Sequence, residues 1–270
     1  YQLSDHGNQH IRGHLFGEAL YASKGIFGLR VCDATFIFGC YHGFLGKVFN
    51  NEGISVLPKL DTICIQRGRD RLGCHHGIGH GILAYLGQDK LVDALQLCAS
   101  LSWKGPVGGC TGGLFMEYNF RTTHDLLNSG TLLRPYDGGN PYAPCDTLSE
   151  EFRAACYYEQ PNWWLAIFHE DFARIGALCR NIAYAVHQDF CFIGMGRMVA
   201  QSVQYDVDRT ITVCTEMNTI EEEILCRSGG FLSIIDRTLD KNHAMTVCKG
   251  LKEKDQGFCY AKANLFGAAP

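Results

Sequence analysis

A chain of 270 residues, 46% of them apolar, is long enough to bury one sizeable core or two. Its net charge of −4, from 24 basic against 28 acidic residues, supplies no basic face for a nucleic-acid backbone. No run of eighteen or more apolar residues occurs, so no segment reads as a membrane-spanning helix.

Fourteen cysteines set the compartment. The Cys-x-x-Cys spacing of an intracellular zinc site is absent, and the even count divides into local pairs. Seven disulfides in an oxidising compartment are therefore expected, making the chain secreted, periplasmic or displayed at the cell surface. The start at Tyr1 reads as a mature product whose export signal has been removed. The lack of an Asn-x-Ser/Thr sequon leans towards a prokaryotic exported protein.

Aligning the chain on its cysteines reveals a repeat. The pairs are Cys32/Cys40, Cys64/Cys74, Cys98/Cys110, Cys145/Cys156, Cys179/Cys191, Cys214/Cys226 and Cys248/Cys259. Second members recur at intervals of 34, 36, 46, 35, 35 and 33 residues, the period of two-helix repeats. Three residues after the second cysteine stand Gly43, Gly77, Gly113, Gly194 and Gly229, with Glu159 and Lys262 as exceptions.

The units run over approximately 1–50, 51–87, 88–118, 145–168, 169–205, 206–238 and 239–270. In the first, a helix is expected from Asn8 to Ser23, stopped by Gly25, with His10, His14 and Glu18 along one stripe. The second carries Cys74-His75-His76-Gly77-Ile78-Gly79-His80-Gly81, in which His76 and His80 share a helix face. Three glycines in six residues cost a helix up to ~1 kcal/mol each, so a neighbouring helix backbone is expected to approach there. The third is the plainest: a helix over Asp89–Cys98, a loop over Ser102–Gly109, and a second helix from about Cys110 through Tyr118. A disulfide from the end of the first helix to the start of the second would staple each unit, at ~3 kcal/mol per bridge in the chain-entropy model.

An insertion over 119–144, rich in proline and glycine, breaks the period before the fourth unit. Such insertions cluster on one face of a repeat array, often the binding face, so a lid or docking surface is expected there, carrying Tyr136 and Tyr142. Trp163 and Trp164 just beyond it would add rigid aromatic contacts for a sugar ring or a partner side chain. Later units keep the period but change character; the fifth offers Arg197 and Gln201. Glu221-Glu222-Glu223 reads as a solvated helix start.

The whole is therefore an all-α, right-handed alpha-solenoid of about seven disulfide-stapled helical hairpins, one repeat domain over 1–270. In period and helix pairing it resembles the tetratricopeptide and Sel1-like solenoids. The meeting of histidines and acidic residues from successive helices is similar to the di-iron site of deoxyhypusine hydroxylase, whose His-Glu pairs are lacking here. The resemblance implies architecture only.

Equivalent positions in such an array bring His10, His14, His42, His76 and His80 together, with Glu18 and Glu117 near. Neutral imidazole with carboxylate suits a transition metal, whether zinc, copper or iron. Other templates fail: there is no His-Glu-x-x-His helix, no Gly-x-Ser-x-Gly elbow, no unpaired cysteine and no Cys-x-x-Cys-His. The expected function is an exported metal-binding protein, a metal-dependent hydrolase or oxidoreductase. Glu117 would act as general base, with Arg197 and Tyr158 orienting a polar or anionic substrate. The rival is a non-catalytic solenoid gripping a small molecule, glycan, peptide or protein partner in its groove. His75 points about a hundred degrees from His76 and is expected behind the site or exposed. His187, in a loop before Cys191, is a weak candidate for the groove.

Overall fold

The computed structural model describes residues 5–33, 35–36, 38–105, 107–120 and 133–264. The protein is all-α, 77% helical, with no strand among the described residues. The chain divides into two compact units, Tyr1–Pro135 and Tyr136–Pro270, with the boundary inside the long insertion.

In the first unit α1 (Asp5–Lys24), α2 (Gly39–Glu52), α4 (Arg71–Leu86) and α6 (Gly109–Phe120) pack as successive neighbours. Two shorter helices, α3 (Leu57–Ile65) and α5 (Leu91–Ser100), lie against α4. The short helices are amphipathic: α5 buries Leu91, Ala94, Leu95 and Cys98, which share one face at helical spacing. By contrast α4, held between α2 and α6, is buried nearly all round, from Gly73 to Leu83 with only His76 half-buried. This explains why its sequence shows no polar face.

In the second unit α7 (Glu150–Phe168), α9 (Ala185–Ser202), α11 (Ile220–Thr238) and α13 (Glu253–Asn264) follow the same neighbour order. Between them come α8 (Phe172–Arg180), α10 (Val207–Cys214) and α12 (Lys241–Met245). Local chemistry sets where these three start. The side chains of Asp171, Asp206 and Asp240 each accept from the amide three residues on, at 2.9, 2.8 and 3.0 Å.

All seven cysteine pairs are disulfides as expected from their spacing, and no cysteine is free. Four of them join two α-helices: α3 to α4, α5 to α6, α8 to α9 and α10 to α11. Their placement differs between the units. Cys40 and Cys110 sit second in their helices, whereas Cys156, Cys191, Cys226 and Cys259 each sit seventh. In the second unit the long helices thus start two turns before the staple, so His187 lies in α9 and not in a loop.

The glycine pattern marks close helix approach. A Cβ at Gly43 would overlap the carbonyl oxygen of His14, and one at Gly113 that of His76. Gly194 and Gly229 meet the carbonyls of Tyr158 and Ile193 in the same way. Only hydrogen at these positions lets the backbones come so near, and that gain offsets the poor helix propensity of glycine.

Residues 121–132 of the insertion lie outside the described residues. Its later part packs onto α7: Tyr136 meets Trp163 and Phe168, Tyr142 meets Trp164, and the Gln160 amide donates to the carbonyl of Pro141 at 3.1 Å. Trp163 and Trp164 are 1% and 0% exposed, so they form core and offer no face to a sugar. Glu222 is also buried, held by Arg180 through contacts of 2.7 and 3.2 Å, and only Glu221 of that triplet is exposed.

Candidate metal centre

The histidines of the first unit converge. Helix α1 carries His10 and His14 one turn apart, with their Nε2 atoms 3.1 Å from each other. Helix α4 repeats the device with His76 and His80, again 3.1 Å between Nε2 atoms. Two nitrogens bound to one ion at about 2.05 Å stand about 2.9 Å apart in cis-octahedral and about 3.4 Å apart in tetrahedral geometry. Both pairs fall between those values, the spacing of a chelate.

Helix α2 inserts His42 between the pairs. Its ring centroid lies 5.0 and 5.3 Å from those of His10 and His14, and 4.3 Å from that of His80. The donor atoms form two triads, His10–His14–His42 and His42–His76–His80, with donors inside each triad within 4.8 Å of one another. The packing that achieves this follows from the glycines: Gly43 beside the His14 carbonyl draws α1 against α2, and Gly113 beside the His76 carbonyl draws α4 against α6.

Electrostatics favours ligand-ready rings. Burial, reinforced by the neighbouring His10 and His80 and opposed by Glu117, pushes His14 down to about 3. Burial together with His80, His10, His14 and His76 also holds His42 well below the ordinary imidazole value. Both rings are neutral at neutral pH and keep a lone pair for a metal. The Nδ1 of His42 is buried without a hydrogen-bond partner, although a buried imidazole nitrogen ordinarily has one.

Glu117, on α6, is fully buried and accepts from Nδ1 of His80 at 3.0 Å. This is the carboxylate–imidazole arrangement found behind metal-bound histidines: with the hydrogen fixed on Nδ1, the Nε2 lone pair is turned towards His76 and could serve an ion. Glu18 lies outside both triads and forms an ion pair with Lys47 at 3.2 Å. These two residues border a cavity of about 190 Å³ whose wall includes His14, His42, Asn50 and Tyr85.

His75 is fully buried beside the site but faces away from it. Its Nδ1 lies 2.9 Å from the Arg71 carbonyl oxygen and its Nε2 2.7 Å from Oδ1 of Asp61. An oxygen partner meets each of its two nitrogens, so neither is turned to the histidine cluster. Asp61 also takes the Ser102 hydroxyl and amide, tying α3, α4 and the loop after α5 together. The sequence carries no local sign of this node, because its members are scattered over forty residues.

Arg197 and Tyr158 belong to the second unit and form a cluster with Glu159 and Asp236. Arg197 Nη1 donates to Glu159 Oε1 at 3.0 Å, and its guanidinium stands 5.6 Å from the Tyr158 ring. Burial pushes Tyr158 up to about 12 and also raises Asp236, in both cases against the pull of Arg197. His187 is buried in the same unit, stacked on Tyr157 and 3.0 Å from Glu150.

Comparison of the chain with protein-family models, with curated proteins and with solved structures finds no match.

Proposed function

We propose that this is a metal-binding helical-repeat protein of an oxidising compartment, which holds transition-metal ions through His10, His14, His42, His76 and His80. The observation that carries the reading is the pair of 3.1 Å Nε2 contacts, one on α1 and one on α4, on either side of the buried His42. Two imidazole nitrogens so placed in a metal-free site share one hydrogen; an ion would use both lone pairs. All-imidazole donors suit zinc, copper or iron better than the oxygen-seeking magnesium or calcium.

The cavity against His14 and His42 would admit a small polar molecule to the ion, and an open position there supports hydrolytic or oxidative chemistry. Glu117, buried behind His80, suits the orienting role better than that of general base. Arg197 and Tyr158 are given no part at the ion, since Glu159 already answers the guanidinium's charge. The recurrence of disulfide and close-approach glycine in both units supports reading the chain as an alpha-solenoid of seven stapled hairpins. Seven disulfides support secretion, a periplasmic location or display at a cell surface.

Elemental analysis of untagged protein tests the reading. At least one transition-metal ion per chain is expected, and His76→Ala combined with His80→Ala should remove at least half of it. Folded protein that takes up no zinc, copper or iron would reject it.

A further inference from the structure

Five imidazoles meet in the first unit, yet their donor atoms do not gather at one point. They form two sets of three, and among the described residues no larger set has its donors within 4.8 Å of one another. Donors bound to one ion at about 2.1 Å stand no more than about 4.2 Å apart, so each triad can close on an ion by small side-chain shifts. His42 alone belongs to both triads, and its Nδ1 is buried with no hydrogen-bond partner. Leaving a buried donor or acceptor unsatisfied is destabilising, and an ion on that nitrogen would remove the penalty.

Resting on the metal-binding reading, we propose that the site is dinuclear, with one ion per triad and His42 as the shared ligand, bridging them as imidazolate through its two ring nitrogens. The first ion takes the lone pair of one nitrogen of neutral His42. The second takes the other nitrogen, whose hydrogen leaves to solvent as a proton. No electron moves, and the ring's single negative charge sits between two dications. Within each chelate the hydrogen shared across the 3.1 Å contact relocates to a ring's other nitrogen. On α4 that ring is His76, because Glu117 already holds the hydrogen on His80 Nδ1.

Copper(II) serves as the probe. Demetallated, untagged full-length protein is titrated with copper(II), desalted and analysed for metal, and its spins are counted by low-temperature electron paramagnetic resonance. Two coppers per chain are expected. The first equivalent should give about one spin per copper. The second should lower the integrated signal well below that, because an imidazolate bridge couples the two spins antiferromagnetically. His42→Ala, checked for fold by circular dichroism, should restore full intensity to whatever copper remains bound. Two coppers with full spin intensity in the unaltered protein would overturn the bridge. Saturation at one copper would overturn the dinuclear site while leaving the metal-binding reading intact, and no uptake would overturn both. Should His42→Ala fail to fold, the stoichiometry and spin count of the unaltered protein decide alone.

Discussion

Glu117 Oε2 lies 3.0 Å from His80 Nδ1, and neither side chain is exposed. The contact joins α6 to α4 and is sealed from water, so the carboxylate acts on the imidazole in a low-dielectric setting where a charged acceptor has most effect. Glu117→Gln keeps an acceptor for the Nδ1 hydrogen but removes the charge. Metal affinity is expected to fall about 10–100-fold, read by competition with a chromophoric chelator, while the fold is retained. Glu117→Ala should in addition lower stability by roughly 1–3 kcal/mol, since it strands the buried His80 hydrogen. Equal affinity in the glutamine variant and the parent would remove Glu117 from the tuning of the site.

Gly113 and His76 show how the same helices reach that distance. A Cβ at Gly113 would overlap the His76 carbonyl oxygen and stand 3.1 Å from His80 Cδ2. Gly113→Ala must therefore push α4 from α6, at an expected cost of about 1–3 kcal/mol, and should weaken metal binding by disturbing both histidines. Gly257, within α13, offers the control because nothing lies within 4 Å of a Cβ built there. Gly257→Ala should be neutral or stabilising by up to ~1 kcal/mol. Urea unfolding of the two variants should move in opposite directions or leave Gly257→Ala at the parent value; equal destabilisation would refute the close-approach account.

What was legible in the sequence was local. Cysteines eight to twelve residues apart pair because the chain between them is short, and i,i+4 histidines share a helix face whatever the fold does. Of the glycines three residues past a cysteine, Gly43, Gly113, Gly194 and Gly229 mark backbone contact, whereas Gly77 meets the side chains of Tyr41 and Leu45. The rest depended on partners distant in the chain. Nothing near His75 announces Asp61 and Ser102 as the acceptor and cross-link that occupy it. Glu222 looks like one of three solvated acids until Arg180 is found against it, and the two tryptophans look available until the insertion folds over them. The start of α9 was missed, with His187 read as loop, whereas the start of α11 was read correctly at Glu221–Glu223. Thr219 caps α11 through the Glu222 amide, but Tyr184 before α9 makes no side-chain cap, so no local signal marks where that helix begins.

Asp61 supplies the pH dependence. Burial alone would raise its carboxyl, but the Ser102 hydroxyl, His75 and the Ser102 amide outweigh it and hold the group below its ordinary value of 3.8. The unfolded chain then binds more protons than the folded one as pH drops below about 4. Stability from this node is therefore complete above that pH and is lost as pH falls through the folded value. Asp61→Asn should cost roughly 1.5–3 kcal/mol at pH 7, and its deficit against the parent should shrink at pH 3. Urea midpoints at the two pH values give the comparison; a deficit independent of pH would mean that Asp61 contributes shape and not charge.

Trp164 decides what the later part of the insertion is for. Its indole is fully buried, packs edge-on to Tyr142 at 6.1 Å, and donates from Nε1 to the Pro141 carbonyl at 3.3 Å. Tyr142 in turn donates its hydroxyl to the Leu178 carbonyl, so the segment is bound to both α7 and the end of α8. These contacts give residues 136–144 a structural duty in the second unit. Trp164→Ala is expected to cost about 3–5 kcal/mol and to expose residues 136–144 to proteolysis, because it opens a large cavity and frees the Pro141 carbonyl. Trp164→Phe, which refills most of the volume, should recover the greater part of that loss. Tyr184, an exposed aromatic of the same unit at 59% exposure, is the matched control, and Tyr184→Ala should stay within about 0.5 kcal/mol of the parent. Limited proteolysis and thermal melts distinguish the cases. If Trp164→Ala melts with the parent and keeps the segment protected, the tryptophan does not anchor it, and a contact role at the surface returns to consideration.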